Sequence, residues 1–484
     1  MAFLFICSPS NLFVQENKDN QNPDKKKIEG YIKDEMKTQQ IPGLTYAVVR
    51  NGKVIDSGAY GLANIELQAP VTLHTRFALG SIGKTFTATG IMILVKDEML
   101  SLDDPVNKYI DSLPDTWGSI TLRHLLNHTS GIRDYIGDFP GYPVIQGRDR
   151  KQEYTEAQII HMAADAPLNF AAGERWAYSN MNFVLLGFII HKVSGKPLPE
   201  FINERIFSPL GMSETRYISV RDIIPGRATG YLLDDNGKIT NGIYVSTFFS
   251  STGDMGIITT ACDMAKWSIG LNSGKILDKT ILNQMWEPAK LSSGMEATGL
   301  GGSNYGLGWF LDDHRGYKVR GHGGSFINGY TSDFLYFDDF DLSVIVLTNL
   351  NPTDVHWICL NIGGFFVPEL SGIDRIKVNV DEEANSVDRV RNFFEELANN
   401  SLDTSLATDN FIKRINPVTE IILNQDAPTF ISYVSSDRLK DRKVECYGIP
   451  IQKINYYRVQ FGGETNYFAI YFTAENKIAG MVGY

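Results

Sequence analysis

Cysteine is scarce: Cys7, Cys262, Cys359 and Cys446 are the only four among 484 residues, they stand far apart, and none forms a C-x-x-C pair. That spacing argues against a disulfide-built scaffold, a zinc knuckle or a dithiol redox centre, and the four read as buried thiols. No apolar run reaches the roughly 18 to 20 residues that a bilayer-spanning helix needs, so no membrane span is expected. Positive charge is also short, with 45 Lys and Arg against 56 Asp and Glu and a formal net charge of −11. A broad nucleic-acid or anionic-membrane surface is thereby excluded. Biased tracts are lacking too, and 43% hydrophobic with 21% charged residues is the composition of a folded globular chain.

What is present is enough length for two or three domains. The start, "MAFLFICSPSNLFVQENKDNQ", is apolar and then abruptly polar, like the end of a signal peptide that lacks a basic leader and a clean small-x-small cleavage site. Residues 1–24 are therefore expected to be a leader or flexible N-terminus, and the chain to be exported to the periplasm or medium. A frayed hydrophobic terminus, or a start codon placed too late, is the plainer alternative, and a cytoplasmic location stays open.

From Asp24, Ile28, Tyr31, Ile32 and Met36 fall on one helical face. The next run, "LTYAVVRNGKVIDSGAYG", alternates on both sides of Asn51 and Gly52, which predicts a two-residue hairpin. The middle, from about Ser81 to Lys290, has helical spacing in "ITLRHLLNHTSGI", "NMNFVLLGFIIHKVSG" and "ACDMAKWSIGLNSG". Strand patterns return in "YGLGWFLDD", "YKVRGHGG", "GYTSDFLYFDD" and "LSVIVLTNL", and "DVHWICLNIGGFFV" predicts a closing helix. This order predicts an α+β fold, one antiparallel sheet built from both ends of a domain at 25–365 with a large helical region against it. The polar stretch "PELSGIDRIKVNVDEEANSVD" reads as irregular, with a linker at 366–379, and 380–484 reads as a small separate α+β module.

Chemistry concentrates in three places. Ser81 is the only serine with a lysine, Lys84, three residues on, and both stand at the start of the apolar run "TFTATGIMILVKDEML". In a helix, residues three apart share a face, so Lys84 is directed at Ser81. Unpaired N–H groups of the first turn favour developing negative charge there, and a buried lysine is biased toward the neutral amine, a competent base. Alone, the pair also fits a capping serine beside a solvated lysine. Second, Tyr178 and Asn180 in "WAYSNMNF" stand two apart, so both can enter one cleft from an extended loop. Third, "VRGHGGSFINGY" carries His322, Gly323, Gly324 and Ser325, where glycine lets a ligand or another backbone come close. The N–H groups of Ser81 and Ser325 there suggest an oxyanion hole. Outside these motifs, His128 reads as a structural histidine, Asp134 and Tyr135 as cleft supports, and the Asp pairs at 103 and 312 as turn residues.

S-x-x-K, then Y-x-N about a hundred residues later, then a short H-x-G strand resembles the serine β-lactamase and penicillin-binding-protein superfamily, most closely its class C β-lactamase-related branch. "FALGSIGKTFTA", "LSLDDPVNKYI", "ITLRHLLNHTSGI", "ERIFSPLGMSETRY" and "YGLGWF" agree with it. The resemblance covers roughly 25–365 and implies a serine hydrolase of peptide, amide or ester substrates. Ser81 would be the acylated nucleophile, Lys84 its base, Tyr178 the acid/base and Asn180 the positioning amide. His322, Gly323, Gly324 and Ser325 would bind substrate. No metal or organic cofactor is implied. Y-S-N and H-G-G replace the Y-A-N and K-T-G usual in class C β-lactamases, which points toward D,D-peptidase, D-aminopeptidase or esterase members. Gly323 also lacks the threonine hydroxyl that helps relatives hold a substrate carboxylate. The alternative is a catalytically silent penicillin-binding-protein-like binder. The module at 380–484 carries no chemical motif, and covering the cleft, self-association and cell-wall binding all stay open for it.

Overall fold

The computed structural model describes residues 25–483 apart from 112, 136–153, 219–221, 235–236, 243–251, 298–302, 327, 371–379, 400, 416–427, 438–443, 447–448 and 462–463. The expected leader and Cys7 lie outside the described residues. Helix α1 (Lys25–Thr38) forms on the predicted stripe, with Ile28 and Ile32 buried one turn apart. Strands β1 (Gly43–Arg50) and β2 (Lys53–Asn64) pair as a hairpin. Asn51 and Gly52 take φ of 50° and 68°, the left-handed pair that a type I′ turn requires.

Four further strands of five residues or more belong to the main sheet, β3 (Phe310–His314), β4 (Tyr317–Phe326), β5 (Tyr330–Phe337) and β6 (Leu342–Thr348), and two two-residue strands complete it. The order is Ala69–Pro70, β2, β1, β6, β5, β4, β3, Asn304–Tyr305. Antiparallel pairing of β1 with β6, from Leu44 against Thr348 to Arg50 against Leu342, joins the two ends of the domain. That is the predicted α+β architecture. Asp312 and Asp313 fall inside β3 rather than in a turn, because the tight turn comes two residues later, at Arg315 and Gly316 with φ of 57° and 80°.

Side-chain alternation divides the core in two. Leu44, Tyr46, Val48, Val344 and Val346 pack on one side with α1 and the closing helix. Ala47, Val49, Ile345 and Leu347 face a helical layer. Its helices include α2 (Gly83–Lys96), α3 (Leu122–Leu126), α4 (Asn180–Ser194) and α5 (Ala261–Asn272). Only Lys84, three threonines and Lys96 interrupt the apolar sequence of α2, and every residue from Gly83 to Leu94 is buried. Such a helix belongs in a core, and Lys84 is carried in with it at 0% exposure.

The closing helix α6 (Val355–Phe366) covers the outer face. Where an irregular polar stretch was expected up to Asp388, helix α7 begins at Val380 and runs to Ala398. Its charged first turns mimic a linker in composition, and Val390, Phe393, Phe394 and Leu397 anchor it further on. They pack on a four-stranded sheet of β7 (Phe430–Asp437), β8 (Lys453–Phe461), β9 (Glu464–Phe472) and β10 (Ile478–Gly483). The sequence reading missed β7 and the short helix Asp409–Ile415. The sheet's other face, with Ile454 and Tyr456, meets Trp357 of α6, whose ring lies 5.7 Å from that of Tyr456. Cys359 and Cys446 are buried free thiols, as expected, but Cys262 is only half-buried.

One contact between sheet and helical layer has no room to give. A Cβ on Gly324 of β4 would stand 1.9 Å from the carbonyl oxygen of Leu79, and one on Gly80, at φ +52°, would stand 2.6 Å from that of Ser325. Ser332 Oγ of β5 donates to the same Leu79 oxygen at 2.7 Å. Gly324→Ala is accordingly expected to cost about 1–3 kcal/mol through overpacking in a denaturant melt of the full chain. Gly30→Ala on α1, where nothing lies within 4 Å, should instead gain about 0.5–1 kcal/mol. Equal stability of the two variants would refute the tight-contact account.

Candidate active site

The turn Gly80–Ile82 is a single 3-10 turn that runs directly into α2 at Gly83. It leaves Ser81 partly exposed while the next helical turn is buried. Lys84 Nζ lies 3.0 Å from Ser81 Oγ, 2.7 Å from Asn180 Oδ1 and 3.1 Å from the backbone oxygen of Asp254. Burial pulls the Lys84 ammonium down to about 8, against the opposing pull of the Asp254 and Asp134 carboxylates. The neutral amine therefore becomes accessible near neutral pH.

Tyr178 and Asn180 arrive on the loop that enters α4. The Tyr178 phenol is held above its ordinary value by burial, opposed by its hydrogen bond with Ser81. Its ring centroid lies 5.0 Å from Lys84 Nζ. Asn180 caps no helix with its side chain. Its amide is held by Asp134, whose Oδ1 accepts from Asn180 N at 3.0 Å and whose Oδ2 accepts from Asn180 Nδ2 at 2.9 Å. Tyr135 donates to Asp254 Oδ2 at 2.5 Å. The expected cleft supports thus bond to the two residues that accept from Lys84.

His322 is 3% exposed in the wall of the site, with its ring 6.2 Å from that of Tyr178. Gly323 O can only accept, so Nδ1–H donates to it at 2.5 Å. In the neutral ring Nε2 then accepts from the Tyr305 hydroxyl at 3.1 Å. Burial, then the Lys84 charge, push the imidazole down to about 3, so His322 is neutral and both ring nitrogens are engaged.

The remaining strand residues divide. Gly324 and the backbone of Ser325 press against Leu79 and Gly80, which sets the Ser81 turn beside β4. The Ser325 hydroxyl turns away and donates to Asn351 Oδ1 at 2.9 Å. Gly323 does not join this contact: a Cβ there would meet only Asp333 Oδ1 and Ser332 O, each at 3.9 Å, so packing does not demand glycine. Pairing of β3 with β4 ends at Gly321, so β3 does not pair with the segment from His322 onward.

His128 takes the structural part expected of it. It is fully buried, its Nδ1 accepts from Ser179 N and Asn182 Nδ2, both at 3.2 Å, and burial keeps the ring far below the ordinary imidazole value. Sequence reasoning missed Asp254 and Tyr305. Both lie outside the three motifs, and only the folded chain brings them to the site.

The chemistry open to this arrangement follows from donors and acceptors. Asn180 Oδ1 and the Asp254 oxygen only accept, so in neutral Lys84 they take its two hydrogens and leave the lone pair facing the Ser81 hydroxyl.

The Beta-lactamase family profile matches residues 28–357. "Penicillin-binding protein 4*" of Bacillus subtilis (strain 168) is 30% identical over 322 residues, 63% of this chain and 67% of that protein. A D-aminopeptidase of Brucella anthropi is 28% identical over 328 residues, 67% of this chain and 59% of that protein, so the match spans less than two thirds of the aminopeptidase's length. The solved octameric penicillin-binding protein homologue from Pyrococcus abyssi superposes with a TM-score of 0.60 over 94% of this chain and 95% of that one, at 24% identity, a likeness of fold. Because the matched residues include both ends of the main sheet and the helical layer between them, the chain belongs to the Beta-lactamase family.

Proposed function

We propose that this chain is a serine hydrolase that cleaves a peptide or amide, or a related ester, through an acyl-enzyme on Ser81. The observation that carries the reading is the buried Lys84 amine 3.0 Å from Ser81 Oγ, with its other two neighbours restricted to accepting. Lys84 takes the hydroxyl proton as Oγ adds to the substrate carbonyl carbon, and the carbonyl π pair moves onto oxygen. Backbone N–H groups of Ser81 and Ser325 are the donors for that oxyanion. As the C–N bond breaks, Tyr178 gives its proton to the leaving nitrogen, and the proton held on Lys84 restores the phenol. Water then adds to the ester, the same two bases carry its proton, and Ser81 leaves as the hydroxyl.

The wall of the site bears on the substrate class. A neutral His322 with both nitrogens engaged offers no cation and no spare N–H to a substrate carboxylate. Together with the D-aminopeptidase relative, this favours amides and N-terminal peptide bonds over a free carboxyl terminus. We place the hydrolase unit within 25–365 and treat 380–484 as an appended module.

Three outcomes check the proposal. Intact mass spectrometry after a fluorophosphonate should show one adduct that Ser81→Ala abolishes. A folded protein that neither this reagent nor a penicillin labels would favour the silent-binder reading instead. The labelling rate should rise with pH through about 8, where Lys84 loses its proton, and then level off while Tyr178 stays protonated. A flat profile between pH 6 and 9 would remove Lys84 as the base. Finally, a D-aminoacyl anilide, which has no carboxylate, should be turned over at least tenfold faster than an acyl-D-Ala-D-Ala peptide, a ratio worth about 1.4 kcal/mol. The reverse order would overturn the reading of His322.

A further inference from the structure

The two acceptors that orient Lys84 differ in kind. The Asp254 oxygen belongs to the backbone and can never donate. The Asn180 amide has two ends of opposite character, and a half-turn about its last bond would present NH2 to Lys84 in place of Oδ1. That rotated amide would donate into the lone pair on which a lysine base depends. The geometry points to Asp134 as the residue that prevents this: an acceptor-only carboxylate that takes an N–H from both the backbone and the side-chain amide of Asn180, forces Oδ1 toward Lys84, and so aims the amine at Ser81. The inference rests on the reading of Lys84 as the base of Ser81, and it makes Asp134 a positioning residue.

Three features support the assignment. Asp134 meets the backbone N–H and the side-chain NH2 of Asn180 with separate oxygens, at 3.0 and 2.9 Å, so one rotamer of each side chain satisfies both bonds. Ser179, at the N-cap of α4, makes no side-chain capping bond, and the first amide of that helix, Asn180 N, is met by Asp134 from another segment. The carboxylate also acts on Lys84 through space. The charged or titratable groups facing the amine are Asp254 and Asp134, which favour its proton, His128 and His322, each disfavoured by its charge, and the Tyr178 phenol. Tyr135, the residue after Asp134, donates to the Asp254 carboxylate, so one short loop touches both residues that accept from Lys84.

Asparagine at 134 has one oxygen and one NH2 where the carboxylate has two oxygens. It can serve only one of the two Asn180 donors, and it removes a negative charge from beside the amine. In the full chain, Asp134→Asn should therefore lower the plateau rate of Ser81 labelling by fluorophosphonate on the order of 100-fold. The midpoint of the pH profile should also move to lower pH, because the ammonium has lost a stabilising carboxylate. A lower rate with an unmoved midpoint would make Asp134 a merely structural support, and an unchanged rate would end the inference outright. If Asp134→Asn fails to fold by circular dichroism, Asp134→Ser carries the same two expectations and the same refutations. Absence of labelling in the wild type would instead strike the reading of Ser81 and Lys84.

Discussion

A lysine amine buried without exposed surface is the constraint on which the site depends. Taking an ammonium out of water is costly unless it is surrounded by acceptors. Here the surroundings are three oxygens from three separate parts of the chain, Ser81 in the turn before α2, Asn180 at the start of α4 and Asp254 before α5. None of these segments adjoins another in sequence, so the helical layer must be assembled before the lysine has its partners. The largely apolar sequence of α2 drives that assembly. Burial that disfavours the charged amine is the same burial that makes the neutral amine useful beside a half-exposed serine.

Distance between the serine and the sheet is set by glycine. The Leu79–Gly80 backbone lies against Gly324 and Ser325 with no space for a Cβ on either glycine. β4 reaches that place only because β5 and β6 pair in order back to β1. The Ser81 turn and the strand near residue 324 are therefore brought into contact by pairing between the two ends of the domain. A serine and a strand edge fixed to one another in this way keep the two sets of backbone N–H groups in register, which is what an oxyanion site asks of a fold.

Much of this was legible in the sequence, for identifiable reasons. The hairpin at Asn51–Gly52, α2 and the strands from Phe310 onward follow from turn chemistry and periodicity, and the spacing of Ser81 and Lys84 is a helical geometry. Tyr178 and Asn180 were legible as a pair, but their partners were not. Asp254 lies in a loop with no period, and Tyr305 stands in a two-residue strand. Glycine was read correctly as a mark of close approach without revealing which glycine: Gly324 makes the contact and Gly323 does not. The polar start of α7 misled because composition distinguishes a charged helix from a linker poorly when its apolar anchor lies ten residues further on. Strand β7 escaped because Ser432, Ser435, Ser436 and Asp437 thin its apolar residues and leave a weak period-two signal.

The site also limits how many positive charges it can hold. Lys84, His128 and His322 face one another closely enough that the lysine charge disfavours protonation of each imidazole, and burial already keeps both rings neutral. His322 spends its nitrogens on Tyr305 and its own strand, and His128 spends Nδ1 on the entry to α4. The favourable terms, from Asp254 and Asp134, act on Lys84. On the proposed mechanism, a proton leaving Ser81 therefore has one well-supported resting place. That place lies on the side of Ser81 where Asn180 and Asp254 already hold the amine's other hydrogens, so the transfer needs no reorganisation of the surrounding dipoles.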